Sequence, residues 1–210
     1  MNRYGIATLG AALLLLSCTG CVDQKPPHGT AALKKACGGI LDPTAIKEAQ
    51  ESDNFSRAYD KSTASDSYTA AAKTLLAEDH AAYVCRIAID DAPPSGADGL
   101  WIKFTPGQGS LFSEGQNRSY SSYKAYNLGS GMQATSESGS GDVLFLCKLK
   151  DRNTPLSVTG SLYNNLDLSV RTRFRVLFRS SLKMVKLLKC KNEINFPSPE
   201  SMKPLPLEQS

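Results

Sequence analysis

Residues 164–189 read NNLDLSVRTRFRVLFRSSLKMVKLLK and form the longest periodic stretch in the chain. Apolar residues recur at helical spacing along one face: Val170, Phe174, Leu177, Phe178, Val185 and Leu188. The opposite face is basic, with Arg171, Arg175, Arg179, Lys183 and Lys186. Such a face needs a second layer to pack against, so the stretch predicts a long amphipathic C-terminal helix.

The segments before this helix are typical of β-strands. Residues 82–90 alternate in polarity and are rich in β-formers, residues 100–104 continue the pattern, and residues 143–149 are apolar at nearly every position. These features predict strands, with 143–149 as the central one. Weaker patterns predict an edge strand at 118–126 and a further strand at 155–162. Short turns join them, so we predict an α+β fold, an antiparallel sheet with helices on one or both faces.

Two short helices are expected before the first strand. Asp42 is a favourable N-cap and Pro43 suits the first helical position. An alanine-rich helix is predicted to open at Ser65 or Asp66 and to run to about Asp79, because alanine has a high helix propensity.

The N-terminal residues are typical of an export signal. Met1–Gly5 carries one positive charge, and an apolar run of about eleven residues follows, which is short for a membrane span of about 20. Small or apolar residues precede Cys18, and Cys21 is a second candidate. The stretch resembles bacterial lipoprotein signal sequences. That resemblance implies a lipid on Cys18, or else on Cys21, and hence a protein anchored to the outer face of the cytoplasmic membrane.

The domain boundaries follow from composition. Residues 1–18 form the predicted signal peptide and lipid-acceptor motif, and 19–35 a tether containing a proline pair. Residues 36–196 form a single globular domain, and 197–210 a proline-rich, extended and mobile tail. We expect a monomer.

Four cysteines remain once Cys18 and Cys21 are set aside. An even number in an exported chain implies two disulfides. Three pairings are possible, and we favour Cys37–Cys85 with Cys147–Cys190 because each joins neighbouring elements. A zinc site would need closely spaced cysteine pairs or nearby histidines. We therefore predict no metal site and no cofactor.

Three features of the chain occur together: the triplet Cys37-Gly38-Gly39, a strand ending at Leu146-Cys147, and a helix closing at Leu188-Lys189-Cys190 before a proline-containing tail. In these features the chain resembles small actinobacterial exported lipoproteins of unknown function. The resemblance covers most of residues 31–200, and the strongly basic final helix departs from it. The resemblance implies a fold and carries no catalytic residue.

Enzyme motifs are missing from the sequence, which has no nucleophile elbow, phosphate-binding loop or zinc-protease motif. An envelope hydrolase using His80 or a carboxylate pair is the alternative to our main prediction, a non-enzymatic binding module. A net charge of +4 is too mild to indicate nucleic acid.

Two surfaces are candidates for binding. The basic helix face would contact anionic lipid headgroups or cell-wall polymers, or it is a solvated face whose acidic partners come from elsewhere in the chain. The second is an aromatic set that would line a groove or pack within the sheet: Trp101, Tyr120, Tyr123 and Tyr126.

Overall fold

The fold is an antiparallel sheet covered on one face by helices. The computed structural model describes residues 26–77, 80–92, 98–107, 111 and 123–206. Within them the strands are β1 (Ala58–Asp60), β2 (Ala82–Ile89), β3 (Asp98–Pro106), β4 (Lys124–Gly129), β5 (Met132–Glu137), β6 (Ser140–Cys147) and β7 (Leu156–Asn164). They form one sheet in the order β1-β2-β3-β7-β6-β5-β4, antiparallel throughout. The predicted α+β class is confirmed.

The centre of the sheet differs from the prediction. The strand expected at 143–149 is β6, but the middle position belongs to β7, which pairs with both β3 and β6. The sequence of β7 alternates apolar residues with Ser157, Thr159 and Ser161, and this alternation is typical of a sheet with one open face. A continuous apolar run is therefore not a reliable sign of the central strand here.

Two other strands differ from the prediction. The expected edge strand at 118–126 begins at Lys124, and its N-terminal part lies outside the described residues. It does form the edge, as predicted. A strand also occurs at Ala58–Asp60, within a segment too polar to have indicated one, because β2 supplies its hydrogen-bonding partner.

The helices are α1 (Gly29–Leu33), α2 (Pro43–Ala49), α3 (Tyr68–Leu76) and α4 (Val170–Leu188). Asp42 caps α2 as predicted, accepting a hydrogen bond from the N–H of Ala45 at 2.9 Å. The cap of α3 is Ser67, not Ser65 or Asp66. Asp66 instead accepts hydrogen bonds from Thr63 in the preceding turn, so the helix begins later than expected.

Close packing of α4 on the sheet depends on small residues. α4 lies over β6 and β7 and beside α3, which covers β2 and β3. Ser180 and Ser181 are fully buried on α4, and a Cβ atom on Gly160 of β7 would lie 3.3 Å from the Ser181 hydroxyl. A larger side chain at these positions would push the helix away from the sheet.

Both predicted disulfides are present. Cys37–Cys85 joins the segment after α1 to β2, and Cys147–Cys190 joins the end of β6 to the residue after the C-cap of α4. Each connects a helical segment to the sheet, so the two crosslinks hold opposite halves of the domain.

The segments next to the predicted domain contact it. In the predicted tether, Leu33 is fully buried. In the predicted tail, Glu200 pairs with Arg175 at 2.7 Å, and the N–H of Leu205 donates to the carbonyl of Ala125 on the edge strand β4. Among the described helices, none is long and apolar enough to cross a membrane.

Candidate binding surfaces

One face of the sheet, on which none of the described helices packs and which we call the helix-free face, carries a row of aromatic side chains on three neighbouring strands. Trp101 of β3 lies directly opposite Tyr163 of β7, and their rings stack with centroids 5.7 Å apart. Tyr83 of β2 meets the same indole edge-to-face at 5.9 Å. All three side chains are partly exposed. We call Tyr83, Trp101 and Tyr163 the aromatic row.

Two cations accompany the aromatic row. The Lys103 ammonium lies 4.9 Å from the centroid of the Trp101 ring, and the Arg86 guanidinium lies 5.1 Å from that of Tyr83. Arg86 also approaches Asp66 at 3.9 Å. No acidic group in the described part of the chain forms an ion pair with Lys103. The negative faces of the rings stabilise these cations.

Polar side chains border the row on its β7 side. Ser161 of β7 lies opposite Lys103 on one side and Asp142 of β6 on the other, and Ser140 lies opposite Tyr163. Because side chains alternate across a strand, these residues share the helix-free face with the aromatic rings. The surface thus combines π faces, hydroxyls, a carboxylate and an ammonium group.

The aromatic set expected from sequence does not form one groove. Tyr126 is buried on the opposite face of the sheet, where its ring meets Phe174 of α4 at 5.3 Å. Trp101 belongs to the helix-free face. Tyr123 precedes β4, and Tyr120 lies outside the described residues. Strand alternation separates Trp101 from Tyr126, and pairing within the sheet gives Trp101 two other partners, Tyr83 and Tyr163.

The basic face of α4 is partly compensated by charges from other segments. Arg175 pairs with Glu200, and Arg179 pairs with Asp42 at 3.1 Å. The Lys183 ammonium lies 4.2 Å from the centroid of the Tyr68 ring. Arg171 and Lys186 are exposed. Two of the five predicted contact residues therefore meet acids that come from distant parts of the chain.

A second basic surface forms where α4 ends. The Cys147–Cys190 disulfide joins the segment after β6 to the segment after α4, and the N–H of Lys191 donates to the carbonyl of Lys148 at 2.8 Å. A cleft of about 370 Å³ is lined there by Lys150, Arg152, Lys189 and Lys191, with Asp151 as its acidic member among the described residues. We call Lys148, Lys150, Arg152, Lys189 and Lys191 the basic pole.

One arginine of α4 has a structural role that the sequence analysis missed. Arg173 is 7% exposed and donates hydrogen bonds to the backbone carbonyls of Glu137 and Ser140, at 2.9 and 2.5 Å. Burial lowers the pKa of its guanidinium. Its position three residues after Val170 and four before Leu177 places it on the apolar face, and that spacing was a usable signal.

The alternative of an envelope hydrolase depends on His80 or on a pair of carboxylates. His80 is exposed and lies two residues before β2. Asp60 and Asp66 line a cleft of about 560 Å³ beside Lys183, but each accepts hydrogen bonds within the local turn, from Ser62 and from Thr63. No group of three potential metal ligands occurs among the residues that the structure describes. Cys18 and Cys21 lie outside those residues.

Comparisons of the chain with models of known families, with curated proteins and with solved structures found no match.

Proposed function

We propose that this protein is an exported lipoprotein of the cell envelope, anchored through Cys18 to the outer face of the cytoplasmic membrane, where it acts as a non-enzymatic binding module. The apolar run before Cys18 and its resemblance to lipoprotein signals support the anchor. Two disulfides within the domain support an oxidising location. Cys21 is the alternative lipid acceptor, and membership of the exported lipoprotein group is part of the same proposal.

The basic pole is the observation that carries the binding proposal. Four lysines and an arginine meet at one end of the domain, and all five are exposed. A surface of one charge sign attracts polymers of the opposite sign and raises their local concentration. The partner that fits this pole is an anionic polymer of the cell envelope, which would also contact the exposed Lys186 near the C-terminal end of α4.

The position of the tether favours a wall polymer over the anchoring leaflet. The described chain enters the domain at Pro26–His28, where His28 bridges to Tyr59 beside the C-terminal end of β2. The basic pole lies at the opposite end of the sheet, next to the Cys147–Leu156 pair. The nine residues of β7 separate these ends by about 26 Å at roughly 3.3 Å per residue. The basic pole thus lies at the end of the sheet remote from where the described chain enters the domain, and this supports a wall polymer over the anchoring leaflet as its partner.

Co-sedimentation with cell-wall sacculi tests this function. Full-length protein extracted in mild detergent is mixed with sacculi that retain their anionic polymers, and with sacculi stripped of them by acid. We expect binding to the intact sacculi, weakened by salt and lost with Lys148, Lys150, Lys189 and Lys191 all changed to Glu. The matched control changes Lys34, Lys47, Lys124 and Lys203 to Glu, an equal charge change at exposed positions elsewhere. Equal binding to stripped sacculi, or equal loss in both variants, would refute the proposal.

The anchor is tested separately by intact mass spectrometry of protein from the membrane fraction. We expect a chain that begins at Cys18 and carries lipid, and a Cys18→Ala chain that keeps its signal peptide and lacks the lipid mass. Lipid retained in Cys18→Ala and lost in Cys21→Ala would move the anchor to Cys21. Both variants acylated like the wild type would overturn the anchor.

A further inference from the structure

The aromatic row has no role in the proposed function. It lies on the helix-free face of the sheet, whereas α3 and α4 cover the other face. Aromatic side chains contribute a large part of the energy of binding surfaces, because they combine apolar area with a polarised ring. Three partly exposed rings, side by side at the middle of a sheet, are therefore suited to bind a ligand of matching shape.

The chemistry around the rings selects the ligand class. A pyranose ring presents C–H groups on its faces, and these carry the partial positive charge that the negative face of an aromatic ring attracts. Its hydroxyls need donors and acceptors at the edge of the stack. Ser140, Ser161 and Asp142 supply such groups on the neighbouring strands. A purely apolar partner would leave this polar border without hydrogen bonds.

Lys103 indicates that the ligand carries a negative charge. Its ammonium rests on the Trp101 ring and has no acidic partner among the described residues. The lysine side chain has a flexible stem, so the ammonium can leave the ring face to a sugar and pair with a carboxylate on that sugar. Arg86, which contacts both Tyr83 and Asp66, is already compensated and would contribute less.

We propose that Tyr83, Trp101, Tyr163 and Lys103 form a binding site for an acidic saccharide. The rings stack on the sugar faces, Ser161 and Asp142 bond its hydroxyls, and Lys103 pairs with its carboxylate. The site is separate from the basic pole, with which it shares no residue, and it does not rest on the wall-polymer proposal.

Trp101 is the single tryptophan of the chain, so its fluorescence reports on this site alone. Full-length protein in mild detergent is titrated with a hexuronate tetramer, with a neutral hexose tetramer and with tetraglutamate, and calorimetry measures each affinity independently. We expect a saturable change in emission with the hexuronate and binding about tenfold or more weaker with the neutral sugar. Tetraglutamate, which is anionic but lacks sugar rings, should leave the emission unchanged.

Variants locate the response within the row. Tyr163→Leu removes a ring and keeps an apolar side chain on the strand, and Lys103→Ala removes the charge. Lys103→Ala should abolish the preference for the hexuronate, and Tyr163→Leu should weaken the binding of both sugars, whereas the exposed β4 control Lys124→Ala should change neither. The absence of a saturable response, an unchanged response in both variants, or an equal response to tetraglutamate would overturn the inference. The variant with the four pole lysines changed to Glu should respond like the wild type, so this proposal and the wall-polymer proposal can fail independently.

Discussion

Glu48, near the end of α2, accepts a hydrogen bond of 2.5 Å from the Thr172 hydroxyl in the first turn of α4. Its other carboxylate oxygen accepts from the N–H of Ser169, the N-cap of α4, at 2.9 Å. The carboxylate thus lies at the positive end of the α4 dipole and satisfies a donor that the helix leaves free. Two elements 121 residues apart in sequence are joined at this point.

This contact predicts a pH-dependent contribution to stability. Partial burial of Glu48 opposes ionisation, but hydrogen bonds from Thr172 and Ser169 outweigh it and lower the pKa of the carboxyl. Because the folded pKa lies below the unfolded one, the stabilisation is complete above the unfolded pKa and is lost as pH falls through the folded pKa. We expect Glu48→Gln to cost about 1–2 kcal/mol at neutral pH and little in acid below the folded pKa, as measured by urea unfolding. Glu51→Gln, at an exposed neighbouring position, should leave the free energy of unfolding unchanged at both pH values. A cost for Glu48→Gln that did not vary with pH would contradict this prediction.

The close packing around Gly160, at the centre of the sheet, predicts a large difference between two glycines. A Cβ on Gly160 would meet the Phe104 ring at 2.7 Å, whereas one on Gly141 of β6 would meet its nearest neighbour at 3.6 Å. We expect Gly160→Ala to destabilise by about 1–3 kcal/mol through overpacking, and Gly141→Ala to lie within about 0.5 kcal/mol of wild type. Guanidinium unfolding of both variants measures this difference. Equal costs would show that Phe104 and Ser181 shift to accommodate the added methyl group.

The burial of Arg173 predicts that it cannot be replaced by an apolar residue of similar length. Arg173→Met would leave the carbonyls of Glu137 and Ser140 without these donors, and a hydrogen bond that involves a charged group contributes about 1.5–3 kcal/mol. Arg171→Met, two residues earlier on the exposed face, should have almost no effect. Thermal unfolding compares the two variants directly. An equal loss of stability in both would indicate that the cost comes from removing a positive charge from α4 and not from the lost hydrogen bonds.

We predict that the two disulfides stabilise the fold by similar amounts but that only one of them supports binding to sacculi. Their loops span 48 and 43 residues, so the chain-entropy model assigns each about 4 kcal/mol. Replacing either pair by alanine should therefore cost a similar amount in denaturant unfolding. Only Cys147→Ala/Cys190→Ala should also weaken binding to sacculi, because that bond joins the two segments of the basic pole. Equal weakening in Cys37→Ala/Cys85→Ala would mean that stability alone controls binding.

Much of the fold was predictable because its signals are local. The helical period of residues 164–189, the cap at Asp42 and the alternation in residues 82–90 each depend on neighbours within a few residues. The favoured disulfide pairing is confirmed, although the sequence alone left three pairings possible. The centrality of β7 was not predictable, since strand order depends on pairing between segments far apart in sequence.

The candidate surfaces also combine features that are visible in the sequence with features that depend on the tertiary structure. The sequence alone determined the amphipathic helix, the strand-rich middle, the even set of domain cysteines and the excess of basic residues near the C-terminus, because these are properties of composition and spacing. Only the tertiary structure decided that Glu200 and Asp42 compensate Arg175 and Arg179. It also brought Tyr83, Trp101 and Tyr163 into one row and separated Tyr126 from them. The physical reason is that strand register and face alternation determine which distant side chains meet, and no local pattern encodes that register.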